Sequence, residues 1–196
     1  MAAFGCHFFS SSIHWGAAML ELYTDRLRLR SLQEQDWPHF LALHQDPDIN
    51  RYVRIPEAPE VIRQKFEQRS ATWDYASGDW LTLVIENLDC GEFIGLTGLH
   101  CHSVEEQRAE VGYLLAHAGQ GKGYATESLQ AVVDWACLSL SVHKLVGHCA
   151  KDNIGSARVM EKCGFQLEGV FRQHFKIGDE WLDESAYGLL ADERQR

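Results

Sequence analysis

Basic residues are the scarcer charge in this chain. Lys and Arg number 18 against 28 Asp and Glu, giving a formal net charge of −10 and a sequence pI near 5.4. That balance argues against general binding to nucleic acid or anionic membrane and is compatible with a cationic acceptor. No apolar run approaches the ~20 residues of a membrane helix. No Cys-x-x-Cys pair occurs: Cys6, Cys90, Cys101, Cys137, Cys149 and Cys163 are scattered. Their pattern speaks against a disulfide framework and for a reducing compartment, which we expect to be the cytoplasm. Several of them sit in apolar surroundings and read as small core residues. Internal repeats and low-complexity tracts are also missing.

Residues 1–19 contain no Asp, Glu, Lys or Arg. A signal peptide would have a basic start and an unbroken apolar centre, and here serines and histidines interrupt it. We expect 1–19 to be an extension outside the core and 20–193 to be one domain. The alternative for the extension is a hydrophobic arm that packs on a neighbour. A chain of 196 residues, 45% hydrophobic, is long enough for a sizeable core.

The informative stretch is Glu110–Ala125. Val111 to Leu115 reads as a buried strand. A loop with Gly119, Gly121 and Gly123 follows, then Ala125, Leu129, Val132, Ala136 and Leu140 mark one stripe of a helix. Strand, glycine loop and helix together aim backbone N–H groups and the positive helix end at one spot, where phosphate binds well. Glycine there permits close approach and positive φ. A dinucleotide fingerprint fails, because Tyr124 or Thr126 stands where the third glycine belongs. The nucleotide P-loop fails too, because Lys122 is followed by Gly123 rather than Ser or Thr. The pattern that fits is Gln120-x-x-Gly123-x-Ala125, which resembles the pyrophosphate loop of the GNAT superfamily of acyl-CoA N-acyltransferases.

Along the chain, Leu20 to Leu32 alternates like a strand with one wet face bearing Arg26, Arg28 and Arg30. Asp36 is placed to cap a helix through Leu43, and Asp46-Pro47-Asp48 signals a turn. Val61 to Ala76 reads as a helix with Ile62, Phe66 and Trp73 inward. Trp80–Asn87, Phe93–His100 and Arg108–Leu115 read as an antiparallel meander. Gly95 and Gly98 suggest close packing within it. Leu145–Cys149, reached through the central helix, should run parallel to Val111–Leu115. Asp152 or Asn153 caps a helix that ends at Gly164, and Leu167–Ile177 with Trp181–Leu190 forms a last hairpin. The expected class is α+β: a mixed, mostly antiparallel sheet with helices on both faces.

Further motifs extend the resemblance over roughly Leu20 to Leu190. Asn153-x-x-Ser156, Cys163-Gly164-Phe165, Glu168-Gly169, the turn Gly178-Asp179-Glu180-Trp181-x-Asp183 and the start Thr24-Asp25-Arg26-Leu27 are similar to the GNAT branch that contains ribosomal-protein N-terminal acetyltransferases. The resemblance implies a splayed parallel strand pair and acetyl-CoA as donor substrate. It implies cofactor contacts from the backbones of Tyr113, Leu114 and Leu115. Gln120, Gly121, Lys122, Gly123, Tyr124, Ala125, Asn153 and Ser156 complete the implied set.

Acetyl transfer from a thioester to an amine needs a neutral amine and a protonated leaving thiolate. Ser156 is the candidate donor to sulfur, with a simple helix cap as the bland alternative. Glu110 is the candidate base, with a carboxyl raised by its apolar strand and acting through water. The bland alternative is a Glu at the strand edge paired with Arg108 or with solvent. His100 and His102 are its rivals. His100-Cys101-His102 lacks a second ligand cluster, so no metal is expected. The expected acceptor is a primary amine, first a protein N-terminus on a basic, ribosomal-type partner, then a small molecule. A catalytically idle acyl-CoA-binding module is the competing class, and a homodimer is an open assembly.

Overall fold

Thr24 cuts the first strand in two. Its N–H donates to Leu27 O at 2.9 Å and its Oγ1 accepts from Leu27 N at 2.9 Å. The expected run from Leu20 to Leu32 therefore folds back as β1 (Glu21–Tyr23) and β2 (Leu27–Ser31), paired antiparallel. The structure is a computed structural model that describes residues 20–194. The expected extension at 1–19 lies outside the described residues.

Arg30 does not sit on a wet face. It is 5% exposed and binds Asp36 through two 2.7 Å contacts and Glu86 at 2.5 Å. Asp36 precedes α1 (Trp37–Gln45) as expected, but its carboxylate makes no cap bond to that helix. It is spent on Arg30 and on Gln33 N–H. Asp46-Pro47-Asp48 opens a one-turn helix, α2 (Pro47–Asn50), with Asp46 Oδ1 accepting from Asp48 and Ile49 N–H. α3 (Pro59–Ser70) ends earlier than its apolar pattern suggests, so Trp73 packs against Tyr75 and Trp135 from a loop.

β3 (Leu81–Asn87), β4 (Phe93–Ser103) and β5 (Arg108–Leu115) form the expected meander. Gly95 and Gly98 are needed within it, because a Cβ would collide with the backbone of Leu114 and of Leu81 respectively. The chain continues through α4 (Tyr124–Ser139), β6 (Lys144–Ala150), α5 (Ile154–Lys162), β7 (Gln166–Ile177) and β8 (Glu180–Leu190). The eight strands lie in the order β1-β2-β3-β4-β5-β6-β8-β7. Among the described strands only β5 and β6 pair in parallel, as the helical crossover between them requires.

Side chains alternate across the sheet and so divide the core. Leu27, Leu29, Leu83, Leu99, Val111 and Leu145 face α4 and α5, where Leu129, Val132, Val133, Ala136 and Met160 close the larger core. Val84 and Leu96 face the other way, toward Phe40, Leu43, Ile62 and Phe66 of α1 and α3. Burying each such side chain contributes about 1.5–3 kcal/mol. Among the described residues no helix is long and apolar enough to cross a membrane.

Candidate active site

The parallel pairing of β5 with β6 runs only from Arg108 opposite Lys144 to Glu110 opposite Val146. Beyond Glu110 the two strands part, and the gap widens into a cleft of about 870 Å³. Its walls include both sides of the sheet opening: Tyr113, Cys149 and Ser156 on the α5 side, Glu110, Trp80 and His148 on the other. A second hollow, about 900 Å³, runs along the outside of α4 and contains none of the residues at the strand divergence.

At one end of the cleft lies the glycine loop. Gly121 and Gly123 have φ of +73° and +84°, and a Cβ on Gly121 would meet nothing within 4 Å. Positive φ together with open space is what a close-approach loop needs. Gly119 is glycine for a different reason, since a Cβ there would sit 2.7 Å from Ile94 Cγ2. Gly123 is the N-cap of α4 and brings no side chain to the first-turn N–H groups. Gln120 turns inward and donates from Nε2 to Leu115 O at 3.1 Å, so it holds the loop to the strand. Lys122 is exposed, and its carbonyl accepts from Arg26 Nη1 at 3.1 Å.

The loop is braced from a distant part of the chain. Glu127, on the first turn of α4, accepts from Thr24 Oγ1 at 2.6 Å, Arg26 N at 3.0 Å and Arg26 Nε at 2.7 Å. Arg26 then lies over the Tyr124 ring, 4.7 Å from its centroid. Thr24, Arg26 and Glu127 are thus part of the loop's support. Nothing in the local pattern near Gly121 pointed to them.

Asn153 caps α5, its Oδ1 accepting from Ser156 N at 3.1 Å. Ser156 Oγ lies 2.8 Å from Tyr113 Oη, which also donates to Ser156 O at 3.0 Å. Burial raises the Tyr113 phenol, and the Ser156 bond only partly offsets it. Burial also pushes the Cys149 thiol up to about 11, against a lowering bond from Ser156. Tyr113, Ser156 and Cys149 therefore form one protonated cluster across the strand gap. The Tyr113 side chain escaped sequence reasoning, which credited that residue with its backbone alone.

Glu110 does not pair with Arg108, which binds Glu106 at 2.7 Å instead. Glu110 Oε2 is 3.2 Å from His100 Nε2, directly opposite on β4. His100 Nδ1 lies 3.2 Å from Cys101 O. Both ring nitrogens thus face acceptors, an arrangement that only the imidazolium satisfies in full. The carboxylate bond accordingly raises His100 above its ordinary 6.5, against desolvation. Burial would lift Glu110, but His100, then His148 and His102, outweigh it, and the net shift is downward. The expected elevation is therefore reversed: a cation at 3.2 Å defeats desolvation in a half-open cleft. His100 has no nitrogen left for a substrate, whereas Glu110 Oε1 has no hydrogen-bond partner among the described residues. His102 is exposed beside His100, whereas Cys101 between them is buried and strand alternation turns it to the other face, so the three residues share no ligand site.

The far wall comes from separate segments. Phe175 and Glu184 line it from the last hairpin, and Glu184 Oε2 lies 3.4 Å from His148 Nδ1. Tyr52, Arg54, His44 and Arg69 line it from the α1–α3 side. The hairpin turn approaches the same side, since a Cβ on Gly178 would be 3.2 Å from Ile55 Cδ1. Trp181 is 56% exposed and outside the cleft lining, so it does not border the acceptor side. Trp80, the expected start of a strand, lines it instead from just before β3, with its ring 4.6 Å from that of His100.

A family model described as Acetyltransferase (GNAT) domain matches residues 26–166. An uncharacterized N-acetyltransferase of Bacillus subtilis (strain 168), YnaD, is 28% identical over 177 residues, covering 89% of this chain and 99% of that protein. A solved spermidine N-acetyltransferase from Vibrio cholerae, in complex with CoA and spermine, superposes with a TM-score of 0.76 at 24% identity, covering 87% of this chain and 98% of that one. The structure of RimL, a ribosomal L7/L12 alpha-N-protein acetyltransferase, superposes with a TM-score of 0.76 at 22% identity, covering 88% and 94%.

Proposed function

The chain belongs to the GNAT acetyltransferase family and is an acetyltransferase of that type, and from this premise we propose that it moves acetyl from acetyl-CoA to a primary amine by direct attack. The observation that carries the proposal is the divergence of β5 from β6 directly after Glu110, with the glycine loop at the other end of β5. Glu110 and Leu115 are separated by roughly 17 Å of strand. That span suits an extended pantetheine arm. The backbones of Tyr113, Leu114 and Leu115 would guide the arm, and Gly121, Lys122, Gly123, Tyr124 and Ala125 would hold the diphosphate. The loop fits such a group because positive φ and open space leave N–H donors unshielded at an uncapped helix start. Gln120 and Asn153 act by fixing the backbone around it.

The donor supplies an activated acetyl carbon on a thiolate leaving group. The amine nitrogen bonds to that carbon and the carbon–sulfur bond breaks. Two protons must then move. The nitrogen's proton goes to Glu110 Oε1, directly or through one water. A lowered carboxylate suffices, because a nitrogen bonded to the acyl carbon is far more acidic than a free ammonium. Before attack the amine must be neutral, and an α-amine with a pKa of roughly 7.7–8.0 is partly so. The second proton goes from Ser156 Oγ to sulfur as a water returns one to the hydroxyl, while Tyr113 Oη, held at 2.8 Å and kept protonated by burial, orients Ser156; Glu110 then releases its proton to solvent, which closes the balance. The products are an acetamide and free CoA thiol.

The acceptors named for the two structural neighbours, a polyamine and a protein α-amine, are both primary amines, which supports that class here. A protein N-terminus and a small amine are both candidates. A thiol-release assay with acetyl-CoA and pooled amines tests the proposal. Tight CoA binding with no thiol released from any amine would leave an idle acyl-CoA-binding module instead.

A further inference from the structure

The α1–α3 wall of the cleft holds two cations without carboxylates of their own. Arg54 and Arg69 both line the cleft and are both half-buried. Among the described residues neither has an ion-pair partner within 4 Å, although 17 such pairs exist elsewhere in the molecule. Their natural partner is taken: Glu57 is bound to Lys65. Arg69 leans on the Trp80 ring at 5.8 Å, and Trp80 in turn touches His100, the residue holding Glu110. The two arginines sense each other, for Arg69 is lowered to about 10, first by burial and then by Arg54. Burial likewise lowers Arg54. Desolvation and mutual repulsion both cost stability, and only Glu57, already held by Lys65, opposes them at Arg54 and the Trp80 ring at Arg69.

His44 completes the wall. Burial, then Arg54, Arg69 and Lys65, lower it to about 4, although the Phe40 carbonyl favours its protonated form. It is therefore neutral at working pH. Its Nδ1 lies 2.8 Å from Phe40 O and so carries the proton, which leaves Nε2 as an acceptor. Carboxylates occupy the opposite side of the cleft. Glu110 presents Oε1, and Glu184 stands beside His148. Asp48 is exposed at the rim of the cleft, and among the described residues it makes no ion pair with either arginine.

Building on the reading above, we propose that the acceptor is a small zwitterion: a primary amine that carries an oxyanion, carboxylate or phosphate, which Arg54 and Arg69 bind while the amine faces Glu110. Guanidinium groups suit either oxyanion, because their fixed fork matches two oxygens. A polyamine is disfavoured by the same wall, because its distal ammonium groups would meet two positive charges.

Matched acceptors test this. Serine against serinamide, β-alanine against its amide, and O-phosphoethanolamine against ethanolamine are compared by kcat/KM, with spermidine as the cationic control. The anionic member of at least one pair should be preferred by about tenfold or more, an amount set by one charge-assisted contact. Which pair shows the preference distinguishes carboxylate from phosphate. In Arg69→Gln and in Arg54→Gln the preference should collapse toward parity, mainly through KM, and Arg69→Lys should recover part of it. Equal rates within every pair, or spermidine as the best acceptor, would overturn the proposal. So would a preference that survives the double Arg→Gln variant. If no amine releases thiol, binding decides: ligand-observed NMR on the CoA-loaded protein should detect O-phosphoethanolamine or β-alanine, but not ethanolamine. In that outcome the anion site stands and the transfer reading falls. Absence of binding by every anion-bearing probe defeats the anion site itself.

Discussion

The two ends of the cleft are built from different material. At the end where we propose that the diphosphate binds, the groups on offer are backbone N–H donors from a single continuous stretch, Gln120 to Ala125, with two positive-φ glycines. At the end where we propose that the acceptor binds they are side chains from seven separated regions: α1, the loop after α2, α3, the segment before β3, the β4–β5 pair, β6 and the last hairpin. Backbone donors present the same surface whatever the neighbouring side chains, so the first end suits one invariant ligand. Side chains can be exchanged singly, so the second end can change its ligand without disturbing the first. The brace from Thr24 and Arg26 to Glu127 keeps the first end rigid from outside the cleft.

The sharpest way to break this contrast is Gly123→Trp. The residue has φ +84°, so any side chain there is strained by ~1–2 kcal/mol, and this one also fills the cradle. CoA affinity should fall on the order of a hundredfold or more, because two or three charge-assisted contacts of ~1.5–3 kcal/mol are lost together. Calorimetric titration reads the loss, and circular dichroism should show the fold retained. Wild-type affinity would remove the diphosphate from this loop.

Next comes Glu110→Gln, which should leave CoA affinity unchanged and lower kcat/KM by about a hundredfold, the scale of a lost proton acceptor. A rate within twofold of the parent would return Glu110 to the role of a strand-edge ion pair. Smaller again, Ser156→Ala should lower kcat by roughly tenfold, the low end for a proton donor whose neighbour Tyr113 can substitute. The CoA dissociation constant should hold. Tyr113→Phe combined with Ser156→Ala should cost more than either change alone.

The smallest effect is a pH signature of the Glu110–His100 pair. His100 is raised above 6.5, so its contribution to stability is complete below that value and disappears as pH climbs through the raised one. Glu110 is lowered below 4.5, so its share is present above 4.5 and lost as pH falls through the lowered value. The pair is strongest between these limits. The Tm gap between the parent and Glu110→Gln should therefore be wider at pH 6 than at pH 9, by about 2–4 °C for each kcal/mol involved. A gap independent of pH would mean that His100 stays neutral.

The same contrast explains what could be read from the chain. The glycine loop before α4, the parallel crossover and the Arg108–Leu115 strand were legible because each is local, set by glycine positions and period-two or helical spacing. Ser156 was singled out from its place at a helix start, but its Tyr113 partner was not, because a contact across 43 residues leaves no local trace. Arg30 looked like a solvent-facing residue since alternation cannot report Asp36 and Glu86 waiting above it. Glu110 was found by its place beside the strand gap. The direction of its titration was missed, because that depends on a histidine one strand away. Arg54 and Arg69 were passed over entirely: an arginine's significance lies in the carboxylate it lacks, and only three-dimensional neighbours reveal that.

One feature of the strand order bears on how such a molecule is made. β8 is synthesised after β7 yet lies between it and β6. While a nascent polypeptide is still on the ribosome, short of residue 180, β6 has a bare edge and β7 has no neighbour to hold it. Glu184 and the hairpin side of the cleft therefore arrive last, by insertion, long after the α1–α3 side with His44, Arg54 and Arg69 has been synthesised.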